Sequence, residues 1–308
     1  MLCPSTAAAL GRLEAEGVGV WLSESPGDEV AAATLRRLVT GAPYAFQGLV
    51  STAASVADAR SVCDALLPAH LSRGGRAGLV SAPLDPDAAL AVGRPNLLVR
   101  IVPDADGLVA IGETLGRGLR VDASPVTTPD CYGRVLDAYF AGLEQALTRG
   151  LPLPASTVVT SVPVGAIDAA VNARLDGRHA GGSRVQTSLA LARVLFRMRE
   201  ERLDDDWWRV LRASAAQPPR LLWTTSAPRH LTALVGWNTA HAMPAELAER
   251  RLTAAGLYGD TLLNEHVRGH AELAALRRQG IRLERLDLGP GLRDTALTGA
   301  APDLAAGR

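Results

Sequence analysis

Apolar positions along the chain fall into short runs that alternate with longer segments carrying a helical stripe. The clearest instance runs from Arg94 to Ser124. Leu97 to Val102 reads as a buried strand, Asp106 to Arg117 as a short amphipathic helix stopped by Gly118, and Leu119 to Ser124 as a second strand. Side chains alternate along a strand, so Arg100 faces away from Leu97, Val99 and Ile101. By the same parity Asp122 and Ser124 oppose Leu119, Val121 and Ala123. A guanidinium and a carboxylate are therefore expected on the inner side of one parallel sheet.

The alternation continues on both sides of this unit. Strands are expected over Val18 to Leu22, Ala77 to Leu84, Thr157 to Val164 and Arg220 to Thr225. Helices are expected over Glu29 to Leu38, Ser55 to Leu71, Arg134 to Thr148, Ser183 to Glu200, Trp207 to Ala215, Ala245 to Ala255 and His266 to Gln279. Pro68 is expected to kink the second of these or end it early. Thr128 and Pro129 read as the cap and first-turn proline of the third, whose stripe is Val135, Leu136, Tyr139, Phe140, Leu143 and Leu147. The pattern makes residues 1–291 a single domain and 292–308, which has no clear period, a mobile tail.

Composition narrows the function. With 308 residues, 47% of them hydrophobic, the chain can fill one αβ barrel, an architecture that typically takes about 250 residues. Its 32 basic residues are all arginine and balance 32 acidic ones, leaving no electrostatic footprint for nucleic acid or an anionic membrane. The sequence contains no lysine. Cys3, Cys63 and Cys131 form neither a disulfide framework nor a zinc pattern, which suits reduced thiols and a cytoplasmic protein. His266 and His270 lie four apart, but Glu265 precedes the first histidine, so H-E-x-x-H is absent and a solvated helix face is expected. No metal or cofactor is expected. The amino-terminal segment lacks a basic start with a long apolar run, and no stretch approaches the ~18 apolar residues of a membrane helix.

The wording of the central unit, LVRIVPD, GLVAI and GLRVDAS, resembles the transaldolase family, which carries F-I-K-I-P-A-T, G-L-x-A-I and G-I-x-V-N-V-T in the same order. Other landmarks follow over roughly residues 10 to 285. WLS resembles the family's W-L-D; VSAPLDP its V-S-I-E-V-D-P; DAYFAGLE its D-A-Y-L-x-G-L-E; LLWTTSAPRH its L-W-A-S-T-G-x-K; and TAHAMP the T-V-N-T-M-P that closes the last strand. Thr40 to Gln47 is matched to T-T-N-P-T-I-F-Q at the end of the second strand. The resemblance implies a (β/α)8 TIM barrel with its site at the carboxyl ends of the strands.

It also implies that the family's catalytic residues are replaced together. Its Schiff-base lysine becomes Arg100, the proton-relay aspartate Ser23, the general acid/base glutamate Pro83 and the active-site asparagine Ala42. Asp122 and Ser124 replace an asparagine and a threonine, and Ala166 the phosphate-binding arginine; Ser161, Gly165 and Asp168 are retained. A guanidinium stays protonated and cannot form an imine. Arg100, Asp122, Ser124, Ser161 and His241 are then the candidate catalytic residues, with Ser23, Tyr44, Thr225 and Arg229 as candidate substrate contacts. Two functions fit. One is a repurposed enzyme of specialised metabolism acting on a small carbonyl-containing or anionic substrate by cyclisation, condensation, lyase or isomerase chemistry. The other is a catalytically dead module that binds a metabolite, a protein partner or a second copy of itself.

Overall fold

The computed structural model describes residues 4–24, 46–153, 157–176, 186–224, 228–244 and 259–288. Eight strands close into a barrel in sequence order: β1 Val18–Ser23, β2 Gly48–Val50, β3 Leu79–Ala82, β4 Leu97–Ile101, β5 Arg120–Ala123, β6 Val158–Pro163, β7 Arg220–Thr224 and β8 Thr239–Met243. Every neighbouring pair is parallel, and β1 pairs with β8 to close the ring. This is a (β/α)8 TIM barrel.

Helices return the chain between strands. They are α1 Pro4–Ala15, α2 Val56–Ser72, α3 Pro86–Val92, α4 Ala105–Gly116, α5 Pro129–Thr148, α6 Val164–Asp176, α7 Thr187–Leu203, α8 Asp206–Ala213, α9 Pro228–Ala233 and α10 His266–Arg278. Their starts follow local chemistry. Ser55, Asp85, Asp104 and Thr128 each accept a hydrogen bond from a first-turn backbone N–H, satisfying donors that a helix cannot pair internally.

Three expectations need correction. Pro68 lies inside α2 without ending it; it and Asp64, whose carbonyl would have accepted the missing bond, are exposed, so water can take that place. The third strand is shorter than Ala77 to Leu84 because Pro83 has no N–H to continue the ladder. The second strand is Gly48–Val50 and does not end at Gln47. The helices expected over 29–38 and 245–255 lie outside the described residues, as does the tail expected from 292 on.

The strand alternation separates two cores. Outward residues such as Val20, Leu22, Val80, Val121 and Trp223 pack under the helices. Inside the barrel, Trp21, Leu79, Leu98, Val159, Leu222 and Ala240 form one apolar layer. Trp21 is fully buried there, and its indole lies against Gly48 so closely that a Cβ on that residue would stand 2.5–2.7 Å from ring carbons. This contact accounts for the register of β2: Trp21 pairs with Gly48, where the only side chain small enough is a hydrogen.

Gly48→Ala is expected to destabilise the fold by about 1–3 kcal/mol, the usual range for overpacking a filled core. Chemical denaturation measures it, and an unchanged midpoint would contradict this account of the Trp21 layer.

Candidate active site

Above the Trp21 layer, the inward side chains at the carboxyl ends of the strands form one buried polar cluster. Arg100 on β4 and Asp122 on β5 are direct partners in the parallel register. Arg100 is 8% exposed and Asp122 0%. Their closest approach, Arg100 Nε to Asp122 Oδ2, is 3.7 Å, an ion pair too long to be a hydrogen bond. Ser81 of β3 closes the gap. Arg100 Nε donates to Ser81 Oγ at 3.1 Å, and the Ser81 hydroxyl donates to Asp122 Oδ2 at 2.5 Å. Ser161 of β6 donates to the other carboxylate oxygen at 2.7 Å.

The rest of the guanidinium is anchored by backbone. Nη2 donates to the carbonyls of Ser51 and Ser81 at 3.0 and 2.8 Å. Nη1 donates to no protein acceptor among the described residues. A second carboxylate adjoins: Glu24, one residue past β1, accepts through Oε2 from the Ser51 hydroxyl at 2.8 Å, the Thr52 N–H at 2.8 Å and the Thr52 hydroxyl at 3.1 Å. Ser51 thereby joins both groups, its carbonyl facing Arg100 and its hydroxyl facing Glu24.

Burial dominates the electrostatics. It pushes the Asp122 carboxyl above its ordinary value, against the Arg100 charge and the two serine donors. It likewise lowers Arg100, against the charges of Asp122 and Glu24. The result is a fixed cation beside two carboxylates linked by hydroxyl groups. Such an arrangement can hold an anion or a carbonyl oxygen and pass protons, and nothing in it is an amine.

The sequence-expected residues are distributed as follows. Arg100 and Asp122 come together as the parity argument requires, and Ser161, named from the resemblance, joins them. Ser23 ends β1 on the Trp21 face, level with Val50 of β2. Ser124 lies just beyond β5, its N–H donating to the Ile101 carbonyl at 2.9 Å, before a cis bond to Pro125. His241 does not join them. Its neighbours Ala240 and Ala242 point into the barrel, so its ring points out to the helix layer, near His230 and the Leu234 backbone. Asp168, early in α6, is bonded outside the Arg100 cluster, holding His230 Nε2 at 3.1 Å and the Ser188 N–H at 2.8 Å. Tyr44, Thr225 and Ala42 lie outside the described residues, as does the Arg229 side chain.

Ser81, Ser51, Thr52 and Glu24 are the participants that the sequence reading missed. Ser81 was legible: it lies two residues before Pro83, the position matched to the family's general acid/base, and so shares its face of the strand. The other three depend on the true position of β2.

No protein-family model matches the chain. Curated relatives do. Over 334 residues it is 28% identical to Transaldolase 2 of Streptomyces coelicolor, covering 90% of each chain. Over 340 residues it is 27% identical to Transaldolase 1 of Streptomyces avermitilis, covering 92% of this chain and 89% of the relative. Transaldolase of Frankia alni is 27% identical with 89% of each chain covered. The chain is thus similar to transaldolases over about nine-tenths of its length.

The strand positions correct one correspondence with transaldolases. With β2 at Gly48–Val50, Thr40 to Gln47 precedes the second strand in the sequence, so the match that put Ala42 at its carboxyl end does not hold; Ser51 and Thr52 are the residues that follow the strand. Among the described residues no group of three or more His, Cys, Asp or Glu is arranged to hold a metal ion, and no helix is long and apolar enough to cross a membrane.

His241 generates a stability prediction in place of a catalytic one. Burial first, and then the His230 charge, lower its pKa to about 3. Below the unfolded value near 6.5 the unfolded chain takes up a proton that the folded chain refuses, so stability is full above pH 6.5 and falls as pH drops. Its share of the loss is about 2 kcal/mol by pH 5. Denaturation between pH 7 and pH 5 should show this slope, and His241→Gln should flatten it; an equal slope in the variant would contradict the assignment.

Proposed function

We propose that this chain is a repurposed member of the transaldolase family that holds a small carbonyl-containing or anionic substrate without forming a Schiff base. The observation that carries the reading is Arg100. It occupies the position of the family's lysine, is tied to Ser51, Ser81 and Asp122, and keeps one nitrogen for a ligand. A pre-fixed guanidinium suits binding an anion or stabilising a developing oxyanion, since its orientation is set before the reaction begins.

In this reading Asp122 is the proton carrier, with Ser81 and Ser161 holding it in place and Ser124 on the same rim. Glu24 is a second carboxylate within the same hydrogen-bonded array. A carboxylate raised by burial can move a proton nearer neutrality than an ordinary aspartate. Reactions that need only polarisation of a carbonyl and a proton shift fit these groups: cyclisation, condensation, elimination or isomerisation. The simultaneous exchange of nucleophile and proton carriers favours a new reaction over drift at one position, and a place in specialised metabolism accords with the arginine-only, alanine-rich composition.

Two measurements test this. Borohydride reduction in the presence of a ketose phosphate is expected to leave no adduct; an adduct on any residue other than the amino-terminal amine would overturn the proposal. Arg100→Lys, which keeps the charge but trades a fork of fixed donors for one flexible ammonium, is expected to lose binding of a small 2-oxo acid probe. If that variant binds as tightly as the parent, the guanidinium geometry has no role.

A further inference from the structure

The opposite end of the barrel carries chemistry that the mouth does not use. A cavity of about 890 Å³ opens at the amino ends of the strands, walled by Arg120 and Arg220, the first residues of β5 and β7, and by Arg73, Arg76 and Arg212 around them. Trp208, Trp237 and Leu203 supply an apolar side. The Trp21 layer, with Leu79 and Val159 facing both ways, separates this cavity from the Arg100 cluster.

Two carboxylates reach the cavity, and both already have a cation. Glu14 pairs with Arg73, and Glu200 with Arg199 at 2.9 Å. Among the described residues no carboxylate stands within ion-pair distance of Arg76, Arg120, Arg212 or Arg220. The two inner guanidinium groups are nevertheless held firmly. Arg120 Nε donates to the Pro95 carbonyl at 2.8 Å; Arg220 Nε donates to Asn238 Oδ1 at 3.1 Å and its Nη1 to Gln47 Oε1 at 3.1 Å. Gln47 precedes β2, which is no neighbour of β7, so the last bond crosses the barrel floor. Among the described residues these bonds leave both terminal nitrogens of Arg120 and Nη2 of Arg220 without a protein acceptor.

Gathering buried like charges without a counter-ion is costly. Burial lowers Arg120 and Arg220 to about 10, and for Arg220 the charges of Arg199, Arg76 and Arg120 push the same way. This face of a TIM barrel ordinarily serves stability alone, and here the arrangement works against it. An anion would relieve the repulsion. Two oriented guanidinium forks match a dianion better than a single carboxylate, and the volume and tryptophan wall accommodate more than a bare ion.

We propose that the floor cavity binds a small organic phosphate, with Arg120 and Arg220 gripping the phosphate and the Trp208 and Trp237 side receiving the organic part. The site is independent of the reading of the mouth, and it places a metabolite-sized ligand at the end of the barrel opposite the Arg100 cluster.

Titration calorimetry with glycerol 3-phosphate tests it beside inorganic phosphate, and Arg100→Gln reports any share of the ligand that is held at the mouth instead. The full-length protein is expected to bind glycerol 3-phosphate more tightly than phosphate alone and to be stabilised thermally by it. Arg120→Gln with Arg220→Gln should weaken binding roughly 10- to 100-fold, the loss of one charge-assisted contact or more. The exposed pair Arg76→Gln with Arg212→Gln, which cannot disturb the barrel, should weaken it in the same direction, while Arg100→Gln should not. Absence of binding to the parent at millimolar ligand overturns the proposal, and so does binding that survives unchanged in both arginine pairs.

Discussion

Arg100 and Asp122 stand side by side inside a parallel barrel, where little water reaches either, and the upper half of the structure is arranged around that fact. Neither ion could be buried alone. Their direct separation of 3.7 Å leaves a gap that the Ser81 hydroxyl fills, and the remaining carboxylate oxygen is taken by Ser161. The guanidinium in turn fixes the Ser51 carbonyl, which orders the end of β2 and brings Glu24 into the same network. One inward charge pair therefore determines the neighbours on four other strands or strand ends.

The barrel itself was legible because each layer of the argument pointed the same way. Apolar runs marked strands, stripes marked helices, and strand parity alone placed Arg100 and Asp122 together. The site was less legible because parity fails where a strand begins or ends at an unexpected residue. β2 has three residues and no apolar run to advertise it; what fixes it is the fit of Gly48 under Trp21, a contact between strands that single-sequence patterns do not contain. His241 shows the converse. Chemistry made it attractive, yet the inward faces of Ala240 and Ala242 require it to point outward, and reading the parity of β8 would have removed it.

The Trp21 layer also gives the molecule two chemically distinct ends. At the mouth opposite charges meet, with cation, carboxylates and hydroxyl groups in one hydrogen-bonded network. At the floor they do not, and arginines gather with their carboxylates already committed elsewhere. An apolar partition of this kind lets the two ends differ in polarity without either disturbing the other, because the side chains that meet across it carry no charge.

The central claim is that Arg100 and Asp122 act as one coupled unit through Ser81. A double-mutant cycle on unfolding free energy, using Arg100→Gln, Asp122→Asn and the combination, measures that directly. The account predicts a coupling of about 1–3 kcal/mol, each single change leaving its partner an unmatched buried charge that the double change removes. Strictly additive losses would contradict it, and would mean that the two groups merely occupy adjacent positions on β4 and β5.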